Sequence, residues 1–317
     1  MIDAVACIGA GLIGSSWATL YASKGIHTYL LDVNDGILNQ AMTRISANLK
    51  FLEAKGVLES GGAELAVTCI TPTLDLASAV SGVDFVTESV TEDLAIKKRV
   101  FRAMDALAPP HVILASSSSG LLMTEIQKRT THPERCILAH PILPPHLIPL
   151  VEIAGGTDTS AETAQKTQQF LKSIGKTPII LKKEVPGYIV NRLQAALWRE
   201  AISIVAQGVA DAEAVDTAFC LGIGLRDPLL GPFLRAHIAG KGIEHFLHIY
   251  AQSYNNRWTT METWTSVPPL AAQKVINSVH CMPVVQTQTM SSLRKIRDEK
   301  LLQILKILDF AHPFYTD

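Results

Sequence analysis

Apolar residues in the first 185 positions occur in short runs, and most runs are separated by longer segments that mix apolar and charged residues. The runs are rich in valine, isoleucine and leucine, which is typical of buried strands. They are AVACI (4–8), HTYLLDV (27–33), VDFVTESV (83–90), HVILASSSS (111–119), RCILAHP (135–141), IPLVEIA (148–154) and TPIILKKE (177–184). This alternation predicts an α/β fold with a doubly wound, mostly parallel sheet, whose ligands bind at the carboxyl ends of its strands.

The segment between Asn34 and Thr73 is longer than a simple crossover between two strands requires. It contains the helical, charged stretch ISANLKFLEAKGVLESG. We predict a pair of helices that projects from the sheet, with a solvated amphipathic hairpin as the alternative.

The pattern changes near residue 185, where the strand-like runs cease. Apolar residues at Ile189, Leu193, Ala196, Leu197 and Ile204 follow helical spacing, and a Pro-Gly pair precedes them. We therefore predict a first domain over 1–185 and an all-α domain over 186–317. By analogy with other helical domains that follow such sheets, the second is expected to bind substrate and to pair subunits.

Composition excludes several classes of protein. The 28 Lys and Arg residues nearly balance the 29 Asp and Glu residues, so no field of one sign attracts nucleic acid or a membrane surface. The five cysteines form no CxxC motif, which argues against a zinc site or a disulfide framework and indicates a cytoplasmic protein. The apolar amino-terminal run lacks a basic start and is interrupted by Gly and Ser, so it does not indicate a signal peptide or a membrane span.

A glycine motif lies between the first two predicted strands. Gly9, Gly11 and Gly14 form GxGxxG between a strand and a helix, and the second strand ends at Asp32. These glycines permit a tight turn, close approach to a pyrophosphate and close packing of helix on strand, and the helix amino terminus faces the phosphates. A carboxylate at Asp32 can bind the adenosine ribose and would repel a 2′-phosphate. The first domain is therefore predicted to be a Rossmann domain that binds NAD rather than NADP.

A single carboxylate interrupts the apolar run IPLVEIA. Glu152 stands between Val151 and Ile153, where burial would be costly without a nearby compensating group. His140, twelve residues earlier in AHPILPPHLIPLVEIA, is the obvious candidate. We predict that the two side chains form a pair.

Five motifs together resemble one family. IGAGLIGSSWA, TESVTEDLAIKKRVF, ILASSSSGLL, LAHPILPPHLIPLVEI and VPGYIVNRLQ occur in the order typical of the 3-hydroxyacyl-CoA dehydrogenase superfamily. Within it, the chain looks most like the branch of lambda-crystallin and L-gulonate 3-dehydrogenase, and the resemblance covers nearly the whole length. It implies an NAD-dependent oxidoreductase with a Rossmann domain followed by a helical domain, acting as a homodimer.

The resemblance also implies roles for individual residues. His140 aligns with the general base that removes the hydroxyl proton, and Glu152 with the residue that orients it. Ser119 and Asn191 align with catalytic groups that contact the substrate. The positions that match the cofactor site are Gly9, Gly11, Leu12, Ile13, Gly14, Asp32, Glu88, Glu92 and Lys97. No metal is implied.

Each of these assignments has a structural alternative. His140 and Glu152 would then be a core pair, Ser119 a helix-capping loop residue and Asn191 an amide on a helix surface. Glu88 and Lys97 would form an exposed charge pair.

The chain departs from the family pattern at two positions. Leu143 stands where the family usually has Asn, three residues after the histidine, and Ser117 stands where Asn or Ser is common. The loss of the amide at Leu143 predicts altered substrate placement or reduced activity.

The segment CLGIGLRDPLLGPF bears on the substrate. Arg226 aligns with an arginine of the branch that acts on free hydroxy acids, and a guanidinium pairs bidentately with a carboxylate, which a thioester lacks. The alternative is a surface arginine paired with Asp227.

Three functions follow from these observations. The first is NAD-dependent oxidation of a free L-3-hydroxy acid to the 3-keto acid, with a sugar acid, carnitine or a short 3-hydroxybutyrate-like compound as substrate. The second is a 3-hydroxyacyl-CoA dehydrogenase, in which Lys50 and Lys55 bind the CoA phosphates. The third is a non-catalytic, crystallin-like protein that binds a dinucleotide.

Overall fold

A computed structural model of the chain describes residues 2–308, so the two ends of the predicted domains, at residues 1 and 317, lie outside it. The chain divides into two compact units, the first ending at Asn191 and the second beginning at Arg192. The first unit contains eight strands. They are β1 (Ala4–Ile8), β2 (His27–Leu31), β3 (Ile70–Thr73), β4 (Phe85–Glu88), β5 (Ile113–Ser116), β6 (Cys136–Pro141), β7 (Leu150–Gly155) and β8 (Thr177–Ile180).

The eight strands form one sheet in the order β3-β2-β1-β4-β5-β6-β7-β8. All neighbouring strands are parallel except β6 and β7, which are antiparallel. The strand order reverses between β1 and β4, and ligands of open α/β sheets bind at the carboxyl ends of strands at such a point. The predicted doubly wound, mostly parallel sheet is therefore confirmed.

Helices cover both faces of this sheet. Those of the first unit are α1 (Leu12–Ser23), α2 (Asp35–Ala54), α3 (Gly62–Thr68), α4 (Leu76–Val80), α5 (Leu94–Leu107), α6 (Met123–Ile126) and α7 (Ala161–Ser173). Alternate residues of β1 enter two separate cores, with Val5 and Cys7 in one and Ala6 and Ile8 in the other. The near-continuous apolar runs seen in the sequence follow from this burial on both faces.

The segment between Asn34 and Thr73 differs from the prediction in two ways. Its two helices form, but α2 packs against α1 and buries one apolar face instead of projecting from the sheet. Its last four residues form β3, which the sequence analysis missed. Pro72 made ITPT a poor strand candidate, but a proline is tolerated in a strand at the edge of a sheet.

The second unit is helical, in agreement with the prediction. Its helices are α8 (Val190–Ala206), which begins in the first unit, α9 (Ala212–Ala218), α10 (Pro232–Ala239), α11 (Ile243–Trp258), α12 (Pro269–His280), α13 (Pro283–Thr287) and α14 (Met290–Ile307), with one π-helical turn at Phe219–Ile223. Within residues 2–308, no helix combines the length and apolar character needed to cross a membrane.

Candidate active site

His140 and Glu152 lie directly opposite each other on neighbouring strands. The antiparallel pairing of β6 with β7 places His140 in register with Glu152, so both side chains are on the same face of the sheet. Nδ1 of His140 is 2.8 Å from Oε2 of Glu152. The imidazole is 5% exposed and the carboxylate fully buried. The structure therefore brings the predicted pair together.

Three hydrogen bonds compensate the burial of Glu152. Besides the contact with His140, its Oε1 accepts hydrogen bonds from the backbone amides of Ile189 at 2.8 Å and Val190 at 3.0 Å. Burial acts to raise the pKa of Glu152, but the bonds from His140 and the two amides outweigh it and hold the pKa below its ordinary value. Glu152 is therefore an anion at neutral pH.

Ser119 and Asn191 are also close together. Ser119 follows the end of β5 and is exposed, and Nδ2 of Asn191 donates a hydrogen bond to its carbonyl oxygen at 3.1 Å. Asn191 is therefore tied to the serine loop and is not an isolated amide on a helix surface. The two residues lie at the carboxyl edge of the sheet, where β6 also ends.

Glu92 organises the serine loop. Its Oε1 accepts hydrogen bonds from the hydroxyl of Ser118 and the amides of Ser119 and Gly120, at 2.6 to 3.0 Å. Burial opposes ionisation of Glu92, but the bond from Ser118, the charge of Lys97 and the two amides lower its pKa. The loop that presents Ser119 is thus built around a carboxylate.

Glu88 and Lys97 form a buried ion pair at the end of β4. Nζ of Lys97 is 2.7 Å from Oε1 of Glu88, and the two side chains are 1% and 0% exposed. Ser116 donates a hydrogen bond to the other oxygen of Glu88 at 2.6 Å, and Lys97 also bonds the carbonyl of Val90. The alternative of an exposed charge pair is therefore wrong.

The glycine loop has the shape expected of a dinucleotide site. Gly9 has φ +98°, a left-handed conformation that favours glycine. A Cβ atom at Gly14 would lie 1.7 Å from the carbonyl oxygen of Gly9, so helix and loop pack too closely for any side chain. Apart from the adjoining backbone, no atom of residues 2–308 lies within 4 Å of a Cβ built on Gly11, so that position is open to a ligand. Leu12 and Ile13 follow it at the amino terminus of α1.

An apolar cleft of about 240 Å³ adjoins this loop. Asp32 lies at its edge and accepts a hydrogen bond from the amide of Ala10 at 2.7 Å. Side chains of Leu31, Val33, Leu76 and Val90 form much of its wall. These residues fit the adenosine end of NAD, because an apolar slot suits the base and a carboxylate suits the ribose.

Arg226 belongs to the second unit. Its Nε donates a hydrogen bond to the carbonyl of Gly222 at 3.2 Å. Asp227 pairs instead with Arg235, at 2.5 Å, so the alternative of an Arg226–Asp227 pair is wrong. Both arginines line a cleft of about 680 Å³ whose other walls are apolar and aromatic.

The two positions that depart from the family pattern have different surroundings. Leu143 is 53% exposed in the loop between β6 and β7, three residues after His140. Ser117 is buried, and its hydroxyl accepts hydrogen bonds from the indole of Trp17 and the hydroxyl of Ser89. Ser117 thus has a structural role, whereas Leu143 faces open space.

The sequence analysis missed two buried residues, one beside His140 and one beside the loop that follows it. Tyr188 is buried, and its ring centroid lies 5.3 Å from that of His140. Lys176 is buried and donates hydrogen bonds to the carbonyls of Pro145 and Ile148, in the loop that joins His140 to Glu152. The sequence signals for these two residues were a tyrosine directly after Gly187 and a lysine directly before a strand.

Two family models match the chain. The NAD-binding domain of 3-hydroxyacyl-CoA dehydrogenase matches residues 4–185, and the C-terminal domain of the same enzyme matches residues 187–269. Among relatives, an L-carnitine dehydrogenase of Bacillus cereus is 35% identical, over 98% of this chain and 94% of its own length. A lambda-crystallin homolog of Rattus norvegicus is 34% identical, over 98% and 97%.

Solved structures that resemble this chain are also dehydrogenases. A 5-formyl-3-hydroxy-2-methylpyridine 4-carboxylic acid 5-dehydrogenase, described as an NAD+ dependent dismutase, has a TM-score of 0.84 at 31% identity and covers 98% of this chain and 99% of its own. A 3-hydroxybutyryl-CoA dehydrogenase of Escherichia coli has a TM-score of 0.68 at 27% identity, over 87% and 57%. The chain therefore belongs to the 3-hydroxyacyl-CoA dehydrogenase family of NAD-dependent oxidoreductases.

Proposed function

We propose that the protein oxidises the 3-hydroxyl of a free L-3-hydroxy acid to the 3-keto acid, with His140 as general base. The observation that carries this proposal is the buried His140–Glu152 pair at the carboxyl edge of the sheet. A neutral imidazole is the natural proton acceptor near pH 7.

The pair has the chemistry that this reaction requires. Ionised Glu152 accepts a hydrogen bond from the N–H of Nδ1, which leaves the lone pair of Nε2 to take the hydroxyl proton of the substrate. The carboxylate then stabilises the imidazolium that forms. NAD, when bound, supplies the hydride acceptor.

The remaining site residues are assigned to binding. Ser119 and Asn191 contact the substrate, and Glu92 supports the loop that carries Ser119. The residues assigned to NAD are Gly9, Gly11, Leu12, Ile13, Gly14, Asp32, Glu92 and Lys97. The domain boundary at residue 185 belongs to the same proposal and agrees with the gap between the two family models.

Several observations favour a free acid over a CoA thioester. The guanidinium of Arg226 can form a bidentate pair with a carboxylate, and it pairs with no acidic side chain among the described residues. Two proteins more than 30% identical to this chain are named for free acids, namely carnitine and a pyridine carboxylic acid. The CoA-dependent structure named above is 27% identical.

We propose further that the protein is a cytoplasmic homodimer that pairs through its helical unit. Large apolar side chains are exposed along that unit, for example Trp198 at 61% and Phe233 at 81%, and a second copy is the partner that the resemblance implies. All five cysteines are free thiols, which suits a reducing compartment.

A panel of free 3-hydroxy acids and acyl-CoA thioesters, followed by NADH absorbance, tests the activity. We expect the largest kcat/KM for a free acid, and a kcat lower by roughly 10²–10⁴ in a His140→Ala variant. A preference for acetoacetyl-CoA in the reverse reaction would replace the proposal with the CoA function. NAD binding without turnover of any substrate would support the non-catalytic, crystallin-like function.

A further inference from the structure

Tyr188 has a backbone conformation that tyrosine rarely adopts. Its φ is +48°, in the left-handed region, and it directly follows Gly187 at φ +78°. For a residue with a side chain this conformation is unfavourable, so it persists only where the surroundings impose it. Such strain in a folded protein often marks a functional constraint.

The side chain of Tyr188 is held from two directions. Its hydroxyl donates a hydrogen bond to the carbonyl of Leu121 at 2.6 Å, and the residue is 1% exposed. Its ring lies 5.3 Å from the imidazole of His140, at an interplanar angle of 45°. Burial raises the pKa of the hydroxyl, so it is a donor at neutral pH.

The left-handed turn at Tyr188 determines where the next two amides point. The N–H groups of Ile189 and Val190 both donate to Oε1 of Glu152, at 2.8 and 3.0 Å. Successive amides that follow a left-handed residue form a concave site for an anion, and the start of a helix adds favourable partial charge. The turn therefore builds the receptor that holds Glu152.

The same side chain reaches the serine loop. Leu121, its hydrogen-bond acceptor, lies two residues after Ser119, and the hydroxyl of Ser118 interacts with the phenol. Tyr188 thus contacts the base and the loop that presents the catalytic serine, and it forms part of the turn that binds the orienting carboxylate. Each of these contacts lies within the first unit of the chain.

We propose that Tyr188 is a positioning residue that aligns Glu152 and, through it, His140. The proposal rests on the assignment of His140 as general base. Because the buried phenol fixes a strained turn, replacing it lets the turn relax, and the two amides no longer converge on Oε1 of Glu152.

Two substitutions separate the parts of this role. Tyr188→Phe keeps the ring and removes the hydroxyl, and Tyr188→Leu removes both. Tyr21 offers matched controls, Tyr21→Phe and Tyr21→Leu, because it is equally buried in α1 and its hydroxyl also makes one buried hydrogen bond, to Thr87 at 2.8 Å. Each variant is compared at equal folded fraction, measured by thermal unfolding.

The main measurement is proton NMR of protein labelled with 15N-histidine. In the wild type we expect a downfield resonance from the Nδ1–H of His140, which its absence in His140→Ala would identify. We expect this resonance to move upfield or broaden in Tyr188→Leu and to change less in Tyr188→Phe, while both Tyr21 variants retain it.

Kinetics provide the second measurement. A misaligned base is expected to lower kcat roughly tenfold or more in Tyr188→Leu and about threefold in Tyr188→Phe, with the dissociation constant of NAD unchanged.

If Tyr188→Leu loses only thermal stability and keeps both the resonance and kcat, Tyr188 is a core residue and the proposal is overturned. Full turnover in His140→Ala would instead overturn the proposed function. In that case the resonance still decides whether Tyr188 aligns the pair.

Discussion

The two units of the chain bury their apolar side chains to very different extents. In the first unit both faces of the sheet are covered, and residues such as Trp17, Tyr21, Phe85 and Phe101 are at most 1% exposed. Among the described residues after Asn191, the buried apolar side chains are only Val205, Ala212, Ala271, Leu302 and Leu305. Both units are nevertheless rich in apolar residues.

The two units also differ in the polar side chains that they bury. The first unit buries ionised side chains with partners, such as Lys97 with Glu88 and Arg135 with Asp105. In the described part of the second unit, Ser203 is the sole buried polar residue. Buried polar groups that are all paired make their surroundings rigid, so the first unit can hold a preorganised site. A helical unit with exposed apolar faces requires a further surface to cover them.

The largest effect is expected at the buried pair of the first unit. His140→Ala should lower kcat by roughly the 10²–10⁴ typical of a positioned base, with NAD affinity retained. Glu152→Gln should also lower kcat, because it removes the charge that stabilises the imidazolium. Steady-state kinetics and NAD titration measure both. If both variants keep wild-type rates, the pair is a structural feature of the core. The first unit would then not differ from the second by holding a preorganised site.

The exposed faces of the second unit are expected to give the next largest effect. Trp198→Asp or Ile249→Asp should dissociate the proposed dimer, since a charge at the centre of an apolar interface costs on the order of 2 kcal/mol or more. Sedimentation velocity at micromolar concentration measures this. Gln252→Asp, on the same helix as Ile249, is the control. A wild-type monomer would show that these faces are not covered by a second copy.

Arg226 tests whether the second unit contributes to substrate binding. Arg226→Met should lower kcat/KM for a free 3-hydroxy acid about tenfold or more, because a charge-assisted hydrogen bond contributes on the order of 1.5–3 kcal/mol. NAD affinity should not change. Arg297→Met is a matched control, since Arg297 is an exposed arginine paired with its neighbour Asp298. Equal losses for free acids and thioesters would contradict carboxylate recognition.

The smallest expected effect concerns a buried charge of the first unit. Burial, reinforced by the charge of Lys24, lowers the pKa of Lys176 from 10.5 to about 7. Above pH 7 the unfolded chain therefore binds more protons than the folded chain, so the free energy of unfolding should rise with pH up to about 10.5. The rise should be on the order of 1 kcal/mol between pH 7 and 8.

Urea unfolding at pH 7, 8 and 9 measures this dependence. Lys176→Met should remove the extra slope, because its side chain does not titrate. Lys166→Met should keep it, since Lys166 is exposed and paired with Glu162. Lys24, whose charge contributes to the lowered pKa of Lys176, is present in all three proteins. Equal slopes in wild type and Lys176→Met would show that Lys176 does not titrate in this range.

The sequence alone determined the order of the elements other than β3, and the class of cofactor. Apolar runs, the glycine motif and the acid at Asp32 are local signals, because each depends on residues within one βαβ unit. The spacing of His140 and Glu152 and the five family motifs also located the candidate site. The fold, the family and NAD were predicted in this way and are confirmed.

Only the tertiary structure decided which residues meet across long separations. The antiparallel register of β6 and β7 places His140 opposite Glu152, and neither strand's own pattern specifies the direction of its neighbour. The edge position of β3 made its proline acceptable, and the left-handed turn at Tyr188 brought two amides to Glu152. Burial and strand pairing arise from contacts between distant segments, so periodicity along the chain does not encode them.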